Sequence, residues 1–332
     1  DITSAQDTYT DTAHGKVLHF NYIEDLHGGS LVDTFNLSGN HIGRLYGNDE
    51  ADFFNVSASA VLTGLLDGGA GYDEMNYTAY DTPRAFDLTA VDGEGFDGTE
   101  ASLVHNFYNI DYILGRTGAG WDSLQGLVTD GTWILNDADQ KSLYQTQGYT
   151  LHYSFIDTLI GEEGADTFVF NPAVTLAGDI RGDLAGSGLY GYDTIDWSLY
   201  ATARDVTLST HSDGDGFAGT ETSLGGQFSF INQILGSATA ADDLTTIDAN
   251  ATFTIDDANG GTYRLDAYAN TLDFTSFDHL YAGSADDTFN FTGSGTIALS
   301  IDAGAGTDLI SYQAYDSSAT VHLLNGSATG VH

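Results

Sequence analysis

The chain repeats itself at a spacing of about 120 residues, and a β-rich sequence that does so is built from stacked or strung modules rather than around one globular core. Residues 95–103, Gly-Phe-Asp-Gly-Thr-Glu-Ala-Ser-Leu, return at 216–224 as Gly-Phe-Ala-Gly-Thr-Glu-Thr-Ser-Leu. Asn-Ile-Asp-Tyr-Ile-Leu-Gly, ending at Gly115, returns as Phe-Ile-Asn-Gln-Ile-Leu-Gly, ending at Gly236. Residues 133–138 match 253–258, and 165–168 match 286–289. A partial copy opens the chain, where 29–36 resembles 283–290, and its next Asp-Phe pair, Asp52 and Phe53, arrives early, as though one rung had been duplicated. These landmarks divide the chain into a partial first repeat (1–44), two full repeats (45–159 and 160–280) and a partial third (281–332), all expected to form one continuous body.

A shorter period lies inside the long one. Asp33, Asp52 and Asp73 are about 20 residues apart, as are Asp287 and Asp308, while Asp166 and Asp193 are somewhat further. Between these turns run short alternating stretches such as 167–170, 205–208 and 288–291, whose period of two sends one set of side chains inward and the other to solvent. No apolar pattern of helical period persists for a dozen residues, so helices should be few. The expected fold is all-β: an elongated right-handed parallel β-solenoid, a β-helix or β-roll, with coils of about 20 residues inside the repeats of about 120. Tandem β-sandwich modules are the alternative that also fits the long period.

Composition narrows the function. With 48 acidic against 8 basic side chains the formal charge is −40, which repels nucleic acid and anionic membrane and calls for screening by salt or by bound cations. No apolar run is long enough to span a membrane as a helix, and the absence of cysteine removes disulfides and thiolate chemistry. The chain starts and stops in mid-pattern, as a processed chain or a window on a longer one would. The eight Lys and Arg are scattered, the ten His form no closely spaced ligand pair, and no acid, base and nucleophile set emerges, so an enzyme is not expected. Aromatic pairs follow the turns at Tyr77/Tyr80, Trp197/Tyr200 and Tyr312/Tyr315. They suit either a buried stack or a face on which a glycan could lie.

The turns carry one specific resemblance. Residues 68–76, Gly-Gly-Ala-Gly-Tyr-Asp-Glu-Met-Asn, fit the pattern G-G-x-G-x-D-x-U-x throughout, and looser copies run over 118–124, 161–168, 188–195 and 304–310, around Asp122, Asp166, Asp193 and Asp308. They resemble the calcium-binding nonapeptide repeats of the RTX, or hemolysin-type, exoproteins, and the wider chain looks like the degenerate repeats of giant bacterial adhesins. The resemblance implies a secreted or cell-surface bacterial protein whose turn glycines and aspartates hold Ca²⁺ between coils, with the apolar U residue, here Met75, in the core. Matched to this chain, the candidate metal residues are Asp33, Asp52, Gly69, Gly71, Asp73, Asp166, Asp193, Asp287 and Asp308. The family sets its nonapeptides in tandem, whereas here the turns come in pairs and triplets, so each Asp has a second reading, that it merely caps its own turn through backbone amides. The function expected is structural or adhesive, as a stalk, adhesin or filament subunit that joins further copies head to tail. A carbohydrate-binding module or a polysaccharide-active enzyme is the alternative.

Overall fold

The computed structural model describes residues 7–11, 16–20, 22–118, 120–136, 141–184, 188, 190–212 and 214–320; positions 137 and 138 of the third landmark therefore lie outside it. Among the described residues every regular element is a strand, as the alternating pattern predicts. The chain divides into two compact units, Asp1–Gly164 and Ala165–His332.

In the first unit the chain crosses between two sheets about every ten residues. Asp25–His27, Arg44–Asp49 and Leu66–Ala70 lie side by side and parallel in one sheet, with Leu26 beside Leu45 and Leu45 beside Leu66. The alternating strands Thr34–Leu37, Phe53–Val56 and Glu74–Asn76 do the same in the other, Phe35 beside Phe54 and Phe54 beside Met75. Equivalent residues therefore stack: the Phe35 and Phe54 rings are parallel at 5.0 Å, and Leu45, Leu66, Phe54 and Met75 are fully buried. Burying one such side chain contributes about 1.5–3 kcal/mol, and the in-register stacking repeats that gain at every coil.

The regular coils then give way to three-stranded meanders. Phe96–Glu100 is antiparallel to both Ala85–Val91 and Phe107–Ile110 in the first sheet, and the last of the three returns to lie parallel beside Leu66–Ala70. The next strand of that sheet, Ser123–Gln125, pairs with the first strand of the meander, Leu124 beside Phe86. A second meander, Gly131–Leu135, Ser142–Thr146 and Tyr149–Ser154, does the same in the other sheet, ending beside Tyr112–Leu114. The second unit repeats both, with Asp205–His211, Phe217–Thr220 and Phe228–Ile231 in one sheet and Ala251–Asp257, Gly260–Leu265 and Leu272–Thr275 in the other. The long period is thus one pair of meanders, one in each sheet. Apart from the two-stranded pair Asp7–Asp11 and Lys16–Phe20, antiparallel pairing among the described residues is confined to the meanders, while coil-to-coil pairing is parallel.

The most faithfully repeated motif, Gly-Thr-Glu-x-Ser-Leu, owes its repetition to a buried polar network. The Arg84 guanidinium donates to Glu100 Oε1 at 2.8 Å and sits 4.3 Å over the Tyr80 ring. Glu100 Oε2 accepts from the Ser102 amide at 2.8 Å and from its hydroxyl, which also meets the Tyr77 hydroxyl at 2.9 Å. In the second unit Arg204, Glu221, Ser223 and Tyr200 repeat the arrangement, with the indole N–H of Trp197 donating to Ser223 at 2.9 Å in place of the tyrosine. Tyr77, Tyr80, Trp197 and Tyr200 are all buried, so these two pairs are core and present no face to a glycan, whereas Tyr312 of the third pair is 39% exposed.

Candidate aspartate ladders

Many strands are entered through an aspartate, and these aspartates accept backbone amides from the neighbouring coil. The Asp33 amide donates to Asp52 Oδ1 at 2.7 Å, the Asp52 amide to Asp73 Oδ1 at 2.8 Å, and the Asp73 amide to Asp111 Oδ2 at 2.9 Å. In the second unit Asp166 donates to Asp193 at 2.8 Å, Asp193 to the side-chain oxygen of Asn232 at 2.9 Å, and Asp287 to Asp308 at 3.0 Å. The seven aspartates singled out from the sequence are therefore brought together in the groups their spacing suggested.

The same device also serves the other sheet, which sequence spacing did not reveal. The amides of Arg84 and Asp122 donate to Asp122 Oδ1 and Asp157 Oδ2 at 2.7 and 2.9 Å, and those of Arg204 and Asp242 to Asp242 Oδ1 and Asp278 Oδ2 at 2.7 and 3.2 Å. A meander stretches these steps to between 35 and 38 residues, beyond the period of about 20 that drew attention to the others. The signal was nonetheless present in part, because Asp122 lies in one of the looser copies of the glycine-rich turn.

The second carboxylate oxygen separates two kinds of rung. In Asp33, Asp122 and Asp242 it accepts a backbone amide of its own turn, from Gly29, Arg116 and Ser237 respectively, which is turn capping. In Asp52, Asp73, Asp193 and Asp287 Oδ2 is buried and has no hydrogen-bond partner. Such an oxygen is costly to bury without a donor, a proton or a cation. At Asp193 the Asp183 carboxyl lies within hydrogen-bonding reach, so the two acids face one another there. A Cβ placed on Gly47 would collide with both Asp52 Oδ2 and the Gly68 carbonyl oxygen of the next coil, and one on Gly182 with both Asp193 Oδ2 and the Phe230 carbonyl oxygen. At each point two acceptors face one small space.

Burial raises the affinity of these carboxyls for protons. It pushes Asp73 up to about 7 against the opposing amide hydrogen bond from Asp52, and Asp287 and Asp111 up to about 6. Asp52 is raised for the same reason, and Asp193 well above the carboxylate range, with Asp183 and Asp166 adding their charges. Asp242 also rises to about 7, although two amides stabilise its anion. The tyrosine at the end of a turn is shielded likewise.

The glycines of the resemblance lie where turns stack. Residues 47–52 and 68–73 run in register, Asn48 beside Gly69 and Asp49 beside Ala70. Gly69 adopts φ +94°, and a side chain at Gly69 or Gly71 would strike the carbonyl oxygens of Asn48 and Glu50. Asn48 and Glu50 hold the same left-handed turn, at φ 82° and 67°, without being glycine, a conformation that costs a side-chain-bearing residue about 1 kcal/mol or more. Gly304 and Gly306 meet the carbonyls of Gly283 and Ala285 in the same way.

Carboxylate and carbonyl oxygens are the donors a hard cation prefers, and Ca²⁺ takes six to eight of them. Among the described residues no three acidic or histidine side chains converge, so a cation here would draw on one carboxylate, backbone carbonyls and water. A scan against protein-family models matched none, and no curated protein matches the chain. Among the described residues no helix is long and apolar enough to cross a membrane.

Gly47→Ala tests the crowding directly. It is expected to lower stability by about 1–3 kcal/mol, the usual cost of forcing atoms into a filled space, as read from the midpoint of chemical denaturation. A change within about 0.5 kcal/mol, the ordinary surface value, would mean that the coils part easily there.

Proposed function

We propose that this chain is a segment of an extracellular β-solenoid, structural or adhesive, whose coils are pinned to one another by Ca²⁺ at the aspartates with an unpartnered oxygen. The observation that carries the reading is the contrast among the ladder aspartates: in Asp33, Asp122 and Asp242 an amide of the same turn reaches Oδ2, while no amide reaches the buried Oδ2 of Asp52, Asp73, Asp193 or Asp287. Turn capping explains the first group and leaves the second unexplained. A cation also answers the charge of −40, since each bound Ca²⁺ offsets two negative charges within the fold. Stacked coils that depend only on their neighbours suit a stalk or adhesin, and their exposed edges would let copies add head to tail.

The test is thermal unfolding with and without Ca²⁺ at fixed ionic strength, because a ligand that binds only the folded state must stabilise it. A site at a hundredfold excess over its dissociation constant adds about 2.7 kcal/mol. The rise in Tm is expected to shrink in Asp73→Asn and to persist in Asp122→Asn, which should weaken the fold equally with and without the ion. No rise, or the same rise in both variants, would return the aspartates to turn capping. Light scattering in Ca²⁺ at increasing protein concentration addresses assembly, and a uniformly monomeric species would remove the filament form of the proposal.

A further inference from the structure

All six arginines of the chain lie within 4.0 Å of an aspartate or glutamate, as a protein with so many carboxylates would lead one to expect. Lys141 is different. Among the described residues it has no carboxylate at that distance, and its ammonium instead lies 3.7 Å above the Tyr112 ring and 4.8 Å from the Tyr72 ring centre, bonded to the Tyr72 hydroxyl at 2.9 Å. The cluster stands on the outward face of three adjacent strands, where the register sets Glu74 beside Tyr112 and Tyr112 beside His152. His152 packs edge-on against both tyrosines, and its Nδ1 is buried without a partner. Burial holds both His152 and Lys141 below their ordinary pKa values, so the imidazole is neutral at pH 7 and the ammonium carries the local positive charge.

The second unit provides an internal control. At the same register positions it carries Thr194, Gln233 and Asp273, with Tyr192 in place of Tyr72 and Gly260 in place of Lys141. There the tyrosine hydroxyl donates to Asp273, and no cation is present in the row. The scaffold therefore forms without the lysine, the histidine or the glutamate, and their presence in the first unit answers a need other than folding.

We propose that Tyr72, Glu74, Tyr112, Lys141 and His152 form a binding site for a carboxylated sugar, namely a single terminal uronate residue. The ammonium, which among the described residues bonds only the Tyr72 hydroxyl and feels the charge of Glu74 without forming an ion pair with it, receives the carboxylate as a charge-assisted hydrogen bond. Tyr72, 36% exposed, offers a ring against which the C–H face of the sugar lies. Glu74 and Asn76, on the same outward face and bonded to each other at 3.3 Å, are placed to accept and donate to its hydroxyls. A single charge suits this surface better than a polyuronate. Interactions beyond about 8 Å are screened at physiological salt, so one carboxylate feels Lys141, whereas a long polyanion would run on across a surface of the same sign.

The test is calorimetric titration of the intact chain, in saturating Ca²⁺, with D-glucuronate, D-glucose and acetate. Glucuronate is expected to bind saturably, and its affinity to fall at least tenfold in Lys141→Gly and in Tyr72→Ala. Arg44→Met, which removes an exposed cation already paired with Asp25, is expected to leave binding unchanged. Lys141→Gly installs the residue that the second unit carries, and an unaltered circular dichroism spectrum would confirm that it folds. Equal binding of glucose would show that the ammonium does not recognise the ligand, and equal binding of acetate that the sugar ring contributes nothing. Either result, unchanged affinity in both variants, or absence of glucuronate binding would overturn the proposal, and none of them bears on the aspartate ladders.

Discussion

Glu221→Ala is expected to lower the unfolding free energy by about 3–5 kcal/mol, because it strands the buried Arg204 guanidinium without its counter-charge. The Arg204 and Glu221 side chains are 9% and 0% exposed and meet at 3.0 Å. A solvent-exposed pair of the same geometry would contribute no more than about 1 kcal/mol, so the measured size of the loss distinguishes a buried network from a decorative one. Losing the carboxylate also frees the Ser223 amide and hydroxyl, and through Ser223 the indole N–H of Trp197. Replacing both charges, as Arg204→Met with Glu221→Leu, is expected to recover most of the stability, since a well-packed apolar pair escapes the cost of desolvation. A loss below about 1 kcal/mol in Glu221→Ala, or a double variant no better than the single one, would show that the network does not set the stability of this unit. Chemical denaturation of the three proteins measures it.

That network also marks where the sequence could be read and where it could not. Repetition of Gly-Thr-Glu-x-Ser-Leu announced an important segment, but Arg84, just before the strand Ala85–Val91, and Glu100, at the end of the next strand, are 16 residues apart, and nothing in local spacing joins them. Seen one at a time the arginines look scattered. Seen at the long period, Arg84 and Arg204 occupy equivalent places. The simple coils were legible because parallel strands of equal pitch bring Asp33, Asp52 and Asp73 into register at a fixed interval. The meanders were not, because an alternating strand reads the same whether its neighbour is parallel or antiparallel. An inserted hairpin therefore changes the interval without changing the pattern, which hid Asp111, Asp157 and Asp278. The division between closed and open carboxylates was beyond the sequence altogether, since Asp73 and Asp122 both follow Gly-rich turns and differ only in whether an amide of the same turn reaches Oδ2.

In calcium-free buffer the fold is expected to lose stability steadily as the pH rises from about 4 to 8.5, and calcium is expected to abolish most of that loss. The sign follows from the direction of the shifts. Asp52, Asp73, Asp193 and Asp287 all hold protons more tightly in the folded chain than an exposed carboxyl does. The stability each contributes is complete below the unfolded pKa of about 4 and disappears as the pH passes its folded value, about 6 for Asp287, about 7 for Asp73 and higher for Asp193. Each group can contribute at most about 1.4 kcal/mol per pH unit while it titrates, and less where water screens it. Ordinary surface carboxylates have finished titrating by about pH 6. A fall between pH 6 and 8.5 therefore belongs to the raised groups, Asp242 among them at about 7, and Asp73→Asn with Asp193→Asn should reduce it to the share that Asp242 contributes.

Calcium takes the place of the proton, so its stabilising effect should be small at pH 5 and largest at pH 8.5, and proton release on binding should be measurable in weakly buffered solution. Sodium chloride at equal ionic strength separates site binding from screening of the net charge, because screening acts on wild type and variants alike. If stability instead rises with pH in the absence of calcium, the ladder carboxylates are satisfied as anions, and the open oxygens are neither proton sites nor cation sites.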